Sequence, residues 1–204
     1  MTGKIKLNAA SGGGSVSLQA PSSSGNDRVY TVPDIGSDGT LATTATAGKI
    51  LQVVSTTKTD TASNSTASQT YWNNTDFKVT ITPSSASSKI LITAVVMVGV
   101  DSQQSLFAQL RKDGSVLVQG DTGESYQGRA TYHHSYSTSA EAPLPVIINY
   151  LDTAGNTNQR YYNLAFSHTS GSTRTMYLNR GSSNSNDYNK GRSTSTITAQ
   201  EIAA

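Results

Sequence analysis

Few residues in this chain have the types and spacing that chemistry needs. Asp121-Thr122-Gly123 has the form of an aspartic-protease triplet. That chemistry requires two carboxylates sharing a proton, each following a buried apolar strand. Gln119 and Gly120 precede this aspartate, no second such triplet exists, and "DTAG" at Asp152 is interrupted by Ala154, so both read as turns. The adjacent His133 and His134 would face opposite sides of a strand and cannot ligate one ion within the chain. Only on a threefold axis could one of them meet its two symmetry mates around a metal; surface or packing roles are the plainer reading. His168 shares an alternating face with Tyr162, Leu164 and Phe166, so it is expected in the core. A serine nucleophile needs a base and an orienting acid, and with 30 serines and three histidines a suggestive spacing arises by chance. "SGGGS" at residues 11–15 lacks the lysine and helix of a phosphate loop. "NST" at Asn64 and "NNT" at Asn73 match glycosylation sequons, as expected in a chain this rich in Asn, Ser and Thr. A glycan depolymerase would need two carboxylates at a sugar cleft, and the 13 acidic residues are scattered, mostly in turns. No catalytic residue, metal or cofactor is expected.

Tyrosine is the one biased residue type. Eight of the ten fall between residues 126 and 188. Tyr150, Tyr162 and Tyr177 sit in strand-like stretches and read as packing residues. Tyr126, Tyr132, Tyr136 and Tyr188 sit in polar, loop-like surroundings. A ring face with a hydrogen-bonding tip at low entropy cost suits binding loops, here for a cell-surface glycan. Ordinary surface tyrosine is the alternative.

The elements that would position these residues are strands. The 204-residue chain is 35% hydrophobic and 14% charged, and Ser and Thr make up 57 residues. Low hydrophobicity without high charge is not a disordered profile, and the Thr, Val, Ile and Tyr content favours strands. The net charge of +2 is spread without a Lys/Arg cluster, leaving no electrostatic footprint for nucleic acid. There is no cysteine, no signal-peptide pattern at the N-terminus, and no apolar run of the ~20 residues that a membrane helix needs. "DFKVTITP" alternates, with Phe77, Val79 and Ile81 on one face. "SKILITAVVMVGV" does not: Ile90, Ile92, Ala94, Val96 and Val98 line one face, and Leu91, Val95 and Met97 the other. A strand apolar on both faces is buried on both, and a second subunit is the simplest cover for Leu91, Val95 and Met97. "SLFAQLRKDGSVLVQG" predicts a hairpin turning at Asp113-Gly114. About eight strands are expected after residue 48, with no helical period. That predicts an all-β sandwich, a jelly roll rather than an immunoglobulin-like one.

Residues 1–48 differ from the head, residues 49–204. Short alternating pieces are separated by turn-rich stretches such as "SGGG" and "PSSSGND". Ile5 and Leu7, then Val16 and Leu18, offer apolar faces too small to fold alone. A flexible linker is the plain alternative; the kept alternation favours an interlocking or attachment segment.

"GKIKLNAASGGGSVSLQAPSSSGNDRVYTVPD", "GKILQVVSTTKTDT", "VTITPSSASSKILI" and "ITAQEIAA" resemble virion fibre proteins of tailed bacteriophages, especially marine and cyanobacterial ones. The resemblance covers nearly the whole chain and is weakest from Gln119 to Asn189. It implies a homotrimeric fibre or spike on the virion surface, with a jelly-roll head similar to tumour-necrosis-factor-like and C1q-like heads, and it carries no catalytic residue. A separate tail-anchoring domain ahead of the Gly-rich segment and a coiled-coil shaft, as in longer tail fibres, are not expected from this sequence. Two roles follow as expectations: a tail fibre whose head binds a host receptor, or a capsid decoration protein or head fibre. Partners would be other chain copies and tail or capsid proteins, with no nucleic acid and no membrane.

Overall fold

The structure is a computed structural model that describes residues 49–121, 123, 128–135, 142–188 and 190–204, and the backbone of residues 4–8 and 15–19. Among the described residues every regular element is a strand. The chain divides into two compact units, residues 1–42 and 43–204.

In the first unit, β1 (Lys4–Asn8) and β2 (Ser15–Gln19) pair antiparallel. Ile5 stands opposite Leu18 and Leu7 opposite Val16, so the four apolar positions share one register face.

The second unit holds β3 (Ile50–Lys58), β4 (Ala62–Thr66), β5 (Trp72–Ile81), β6 (Lys89–Val100), β7 (Leu106–Lys112), β8 (Ser115–Val118), β9 (Tyr132–His134), β10 (Leu144–Thr153), β11 (Arg160–His168), β12 (Arg174–Leu178) and β13 (Ser195–Ile202). They form two antiparallel sheets packed as a sandwich. One runs β3-β13-β6-β12-β4 with β10 on β6; the other runs β5-β11-β7-β8 with β9 on β7. β12 and β13 follow one another along the same edge of β6, at Val98–Val100 and Lys89–Val95, opposite β10. β3 and β4 lie in line beyond them. β8 and β9 share one edge of β7, opposite β11. The eleven strands therefore fill eight ranks, four to a sheet. About eight strands are expected from the sequence and eleven are present among the described residues; β4 ("ASNST") and β9 ("YHH") lack an apolar alternation that would mark them.

Alternation builds the core. Phe77, Val79 and Ile81 of β5 face Ile90, Ile92, Ala94, Val96 and Val98 of β6 across the sandwich, with Leu106, Leu110, Leu164, Phe166, Met176 and Ile197 filling the layer. Each such large side chain contributes about 1.5–3 kcal/mol by leaving water. Asp113 and Gly114 carry φ of 51° and 82°, the positive pair of a type I′ turn, as expected of Asp-Gly. Asp113 Oδ1 accepts the Tyr161 N–H at 2.9 Å, tying the turn to β11. His168 is fully buried: Nδ1 accepts from Ser170 N–H at 3.2 Å, so Nε2 carries the proton toward Thr66 O, 3.0 Å away. It joins β11 of one sheet to β4 of the other.

Between β12 and β13 the chain leaves the sheet, passing over β6 at Gly99. A Cβ there would lie 2.6 Å from Arg180 O and 3.1 Å from Gly181 Cα, both backbone atoms. Gly99→Ala must push this crossing away from the sheet, and its expected cost is about 1–3 kcal/mol, read as a lower denaturation midpoint. An unchanged midpoint would mean that the crossing does not rest on β6.

Glu201 on β13 is buried yet charged. Its Oε1 accepts from Ser84 N–H at 2.8 Å and Ser84 Oγ at 2.7 Å, and its Oε2 from Gln52 Nε2 at 2.5 Å. Burial alone would raise its pKa, but these donors outweigh it and hold the carboxyl down to about 2. The carboxylate's contribution is fully present above the ordinary glutamate pKa near 4.5 and is lost as pH falls through about 2. Stability should decline across that window. Glu201→Gln should flatten the decline and lower stability at pH 7 by about 1–3 kcal/mol, because Gln presents an amide donor to other donors. Urea melts at pH 7, 4 and 2.5 test this; parallel curves for the two proteins would exclude Glu201 as the source.

Candidate functional site

The two sheets turn unlike outer faces to the surroundings, and each carries a candidate site. On the first sheet the register aligns outward residues in rows. Leu151 of β10, Leu91 of β6, Gln200 of β13 and Val53 of β3 form one row; Ile147, Val95, Thr196 and Thr57 form another; Pro145 and Met97 extend the apolar side. Between the first two rows lie Asn149, Thr93, Thr198 and Ser55. Val53, Ile147 and Leu151 are more than half exposed and Val95 is 41% exposed, while Leu91 and Met97 are half-buried. Their inward neighbours Val146, Ile148, Ile92 and Val96 are buried, so β6 and β10 are apolar on both faces. Scattered apolar side chains are normal on a protein surface; a contiguous patch of them marks a contact surface.

Leu91, Val95 and Met97 thus lie together on this face. The sequence reading missed Val53, Ile147 and Leu151, although "PVIINYLD" carries the same doubly apolar signal as β6. Ile5, Leu7, Val16 and Leu18 occupy paired register positions in β1 and β2 of the other unit.

On the second sheet, Phe107, Gln109 and Arg111 of β7 lie beside Ser167, Ala165 and Asn163 of β11 on the side away from the core, and all but the half-buried Arg111 are buried. Here Gln69, Tyr71, Phe107, Gln109, Gln119, Gly128, Arg129 and Ser167 line a cleft of about 290 Å³. Tyr71 Oη donates to Arg129 O at 2.9 Å, and burial pushes its phenol pKa above the usual range. His133 stacks on Phe107 with ring centroids 4.5 Å apart. Of the tyrosines singled out from sequence, the two described ones, Tyr132 and Tyr188, do not line this cleft. Tyr132 lies in β9, its ring packed against the core and its hydroxyl donating to Pro145 O at 3.1 Å. Tyr188 is fully exposed in a turn, and Tyr126 and Tyr136 lie outside the described residues. No sequence signal marked the cleft, because its lining comes from five separate stretches of chain.

Asp152 is committed to structure: Oδ2 accepts from Lys112 Nζ and Tyr162 Oη, each at 2.8 Å, and Oδ1 from Thr153 N–H. Among the described residues no group of three His, Asp or Glu side chains could hold a metal ion, and no helix is long and apolar enough to cross a membrane.

The fold defines an all-β sandwich protein of two antiparallel sheets. No protein-family model matches the chain, and no curated protein is significantly similar to it.

Proposed function

We propose that this chain is the subunit of a homotrimeric bacteriophage virion fibre, with a jelly-roll head that presents its second sheet to the host. Supporting the jelly-roll reading is the order in which the chain visits the sheets. The ranks β3/β4, β5, β6 and β7 alternate between sheets, β8/β9 stays beside β7, and β10, β11 and β12/β13 alternate again. The reading rests on one observation above all: on the outer face of the first sheet Ile147 lies beside Val95 and Leu151 beside Leu91, with Asn149 and Thr93 between the two apolar pairs. Covering such a face with copies of itself is what a cyclic trimer does. The resemblance of the N-terminal wording to phage fibre proteins supplies the virion setting, and the Ile5/Leu18 and Leu7/Val16 register pairs suit attachment or interlocking through strand addition.

Sedimentation of the full chain at micromolar concentration is expected to give three times the chain mass of 21.4 kDa. A monomer would overturn the trimer. Labelling intact particles then separates the roles: a few labelled points on the tail fit a receptor-binding fibre, and dense labelling of the capsid fits decoration.

A further inference from the structure

The cleft on the second sheet is lined mostly by polar side chains. Gln109 at its floor is only 7% exposed, so its amide is held in place by the protein. Arg111 Nη2 donates to Gln109 Oε1 at 3.0 Å, which fixes the oxygen on the far side and turns the NH2 inward. Among the described residues that NH2 has two long partners, Gln119 Oε1 at 3.4 Å and Arg129 O at 3.5 Å. A buried amide donor this weakly engaged has capacity for a ligand oxygen. Arg111 Nε beside it is buried with no hydrogen-bond partner.

The walls fit the same class. Gln69, Gln119 and Ser167 add carboxamides and a hydroxyl, which match sugar hydroxyls as donors and acceptors. Tyr71 and the edge of Phe107 supply apolar wall for a C–H face. Gly128 packs so close to Phe107 that a Cβ would lie 2.9 Å from Cε1, so a side chain here would displace the ring. Arg129 stands at the rim, where its Nε donates to Gly120 O at 3.0 Å, Arg111 has its guanidinium 5.8 Å from the Tyr71 ring centroid, and the described lining contains no carboxylate. At about 290 Å³ the cleft is at the small end of ligand pockets, the size of one sugar ring rather than a chain.

We infer that this cleft is a saccharide subsite for one carboxylate-bearing sugar unit, a uronic acid within a surface polysaccharide. The polysaccharide source rests on the host-facing reading of the head. The subsite uses the amides for the ring hydroxyls and Arg129 for the carboxylate.

Saturation-transfer NMR of the full chain with D-galacturonic acid, hexagalacturonate and D-galactose tests it. Galacturonic acid should bind about tenfold more tightly than galactose, and hexagalacturonate at least as tightly as the monomer. Arg129→Gln should remove that tenfold preference, and Gln119→Leu should weaken all three probes, with thermal midpoints unchanged in both. Absence of uronate binding, equal binding of galactose, or full binding by both variants would overturn the subsite. Binding of the monomer but not the hexamer would overturn the polysaccharide source. Sedimentation of the same samples reads assembly separately: a trimer that binds no uronate refutes the subsite alone, and a monomer refutes the fibre reading.

Discussion

Asn179→Asp is expected to cost about 3–5 kcal/mol of stability. Asn179 is fully buried where β12 ends. Its Nδ2 donates to Lys58 O at 2.9 Å and Asp60 O at 2.8 Å, the two carbonyls where β3 gives way to β4. Its Oδ1 accepts from Ser195 Oγ at 2.5 Å, and Ser195 Oγ accepts Met97 N–H at 2.9 Å. Its own N–H donates to Met97 O at 2.9 Å, and its carbonyl accepts Ser193 N–H at 3.0 Å. One side chain therefore joins three neighbouring ranks at the point where two of them are interrupted. Aspartate has the same shape and tolerates the φ of 61°, but it has no donor for the two carbonyls. The loss combines two unsatisfied buried acceptors with a buried charge beside them. Asn179→Gly separates the causes: it keeps the backbone conformation and removes the side chain with its hydrogen bonds but adds no charge, so it should lose less, about 2–3 kcal/mol. Urea denaturation at matched protein concentration measures both. A loss below about 1 kcal/mol in either variant would mean that the ranks are held by packing alone.

Ile147→Asp is expected to dissociate the trimer while leaving the subunit folded. Ile147 is 53% exposed in the single chain, next to Val95 at 41%, so the substitution removes little core packing. In a trimer closed through this face, the same carboxylate would be desolvated at each of three contacts without a cation opposite. Each buried, unpaired charge costs several kcal/mol, enough to weaken assembly by more than about 100-fold. Val116→Asp is the matched comparison, since Val116 is similarly exposed, at 39%, but lies on β8 of the other sheet. The expected outcome is a monomer for Ile147→Asp and an unchanged trimer for Val116→Asp, with β circular dichroism intact in both. The reverse pattern would place the interface on the second sheet and leave no free face for the saccharide subsite.

Strand existence was legible because alternation is a local signal. Phe77, Val79 and Ile81 announced β5, and the doubly apolar run around Leu91, Val95 and Met97 announced a strand with two faces to cover. Asp113-Gly114 marked its hairpin because few residue pairs accept positive φ twice. The tyrosines were less informative. A tyrosine's role depends on what lies opposite it, and Tyr132 turned its ring to the core and its hydroxyl to Pro145 O.

By itself, then, the sequence marked the longer strands such as β5 and β6 and their core-facing residues, but not β4 or β9, through period-two alternation, which needs no knowledge of partners. Only the tertiary structure decided that β12 and β13 share one edge of β6 through Asn179. It alone brought Gln69, Tyr71, Gln109, Gln119 and Arg129 around one cleft and set Ile147 beside Val95. Those arrangements depend on register between strands far apart in the chain. Register is set by the whole sheet closing on its core, and not by any residue's neighbours in sequence.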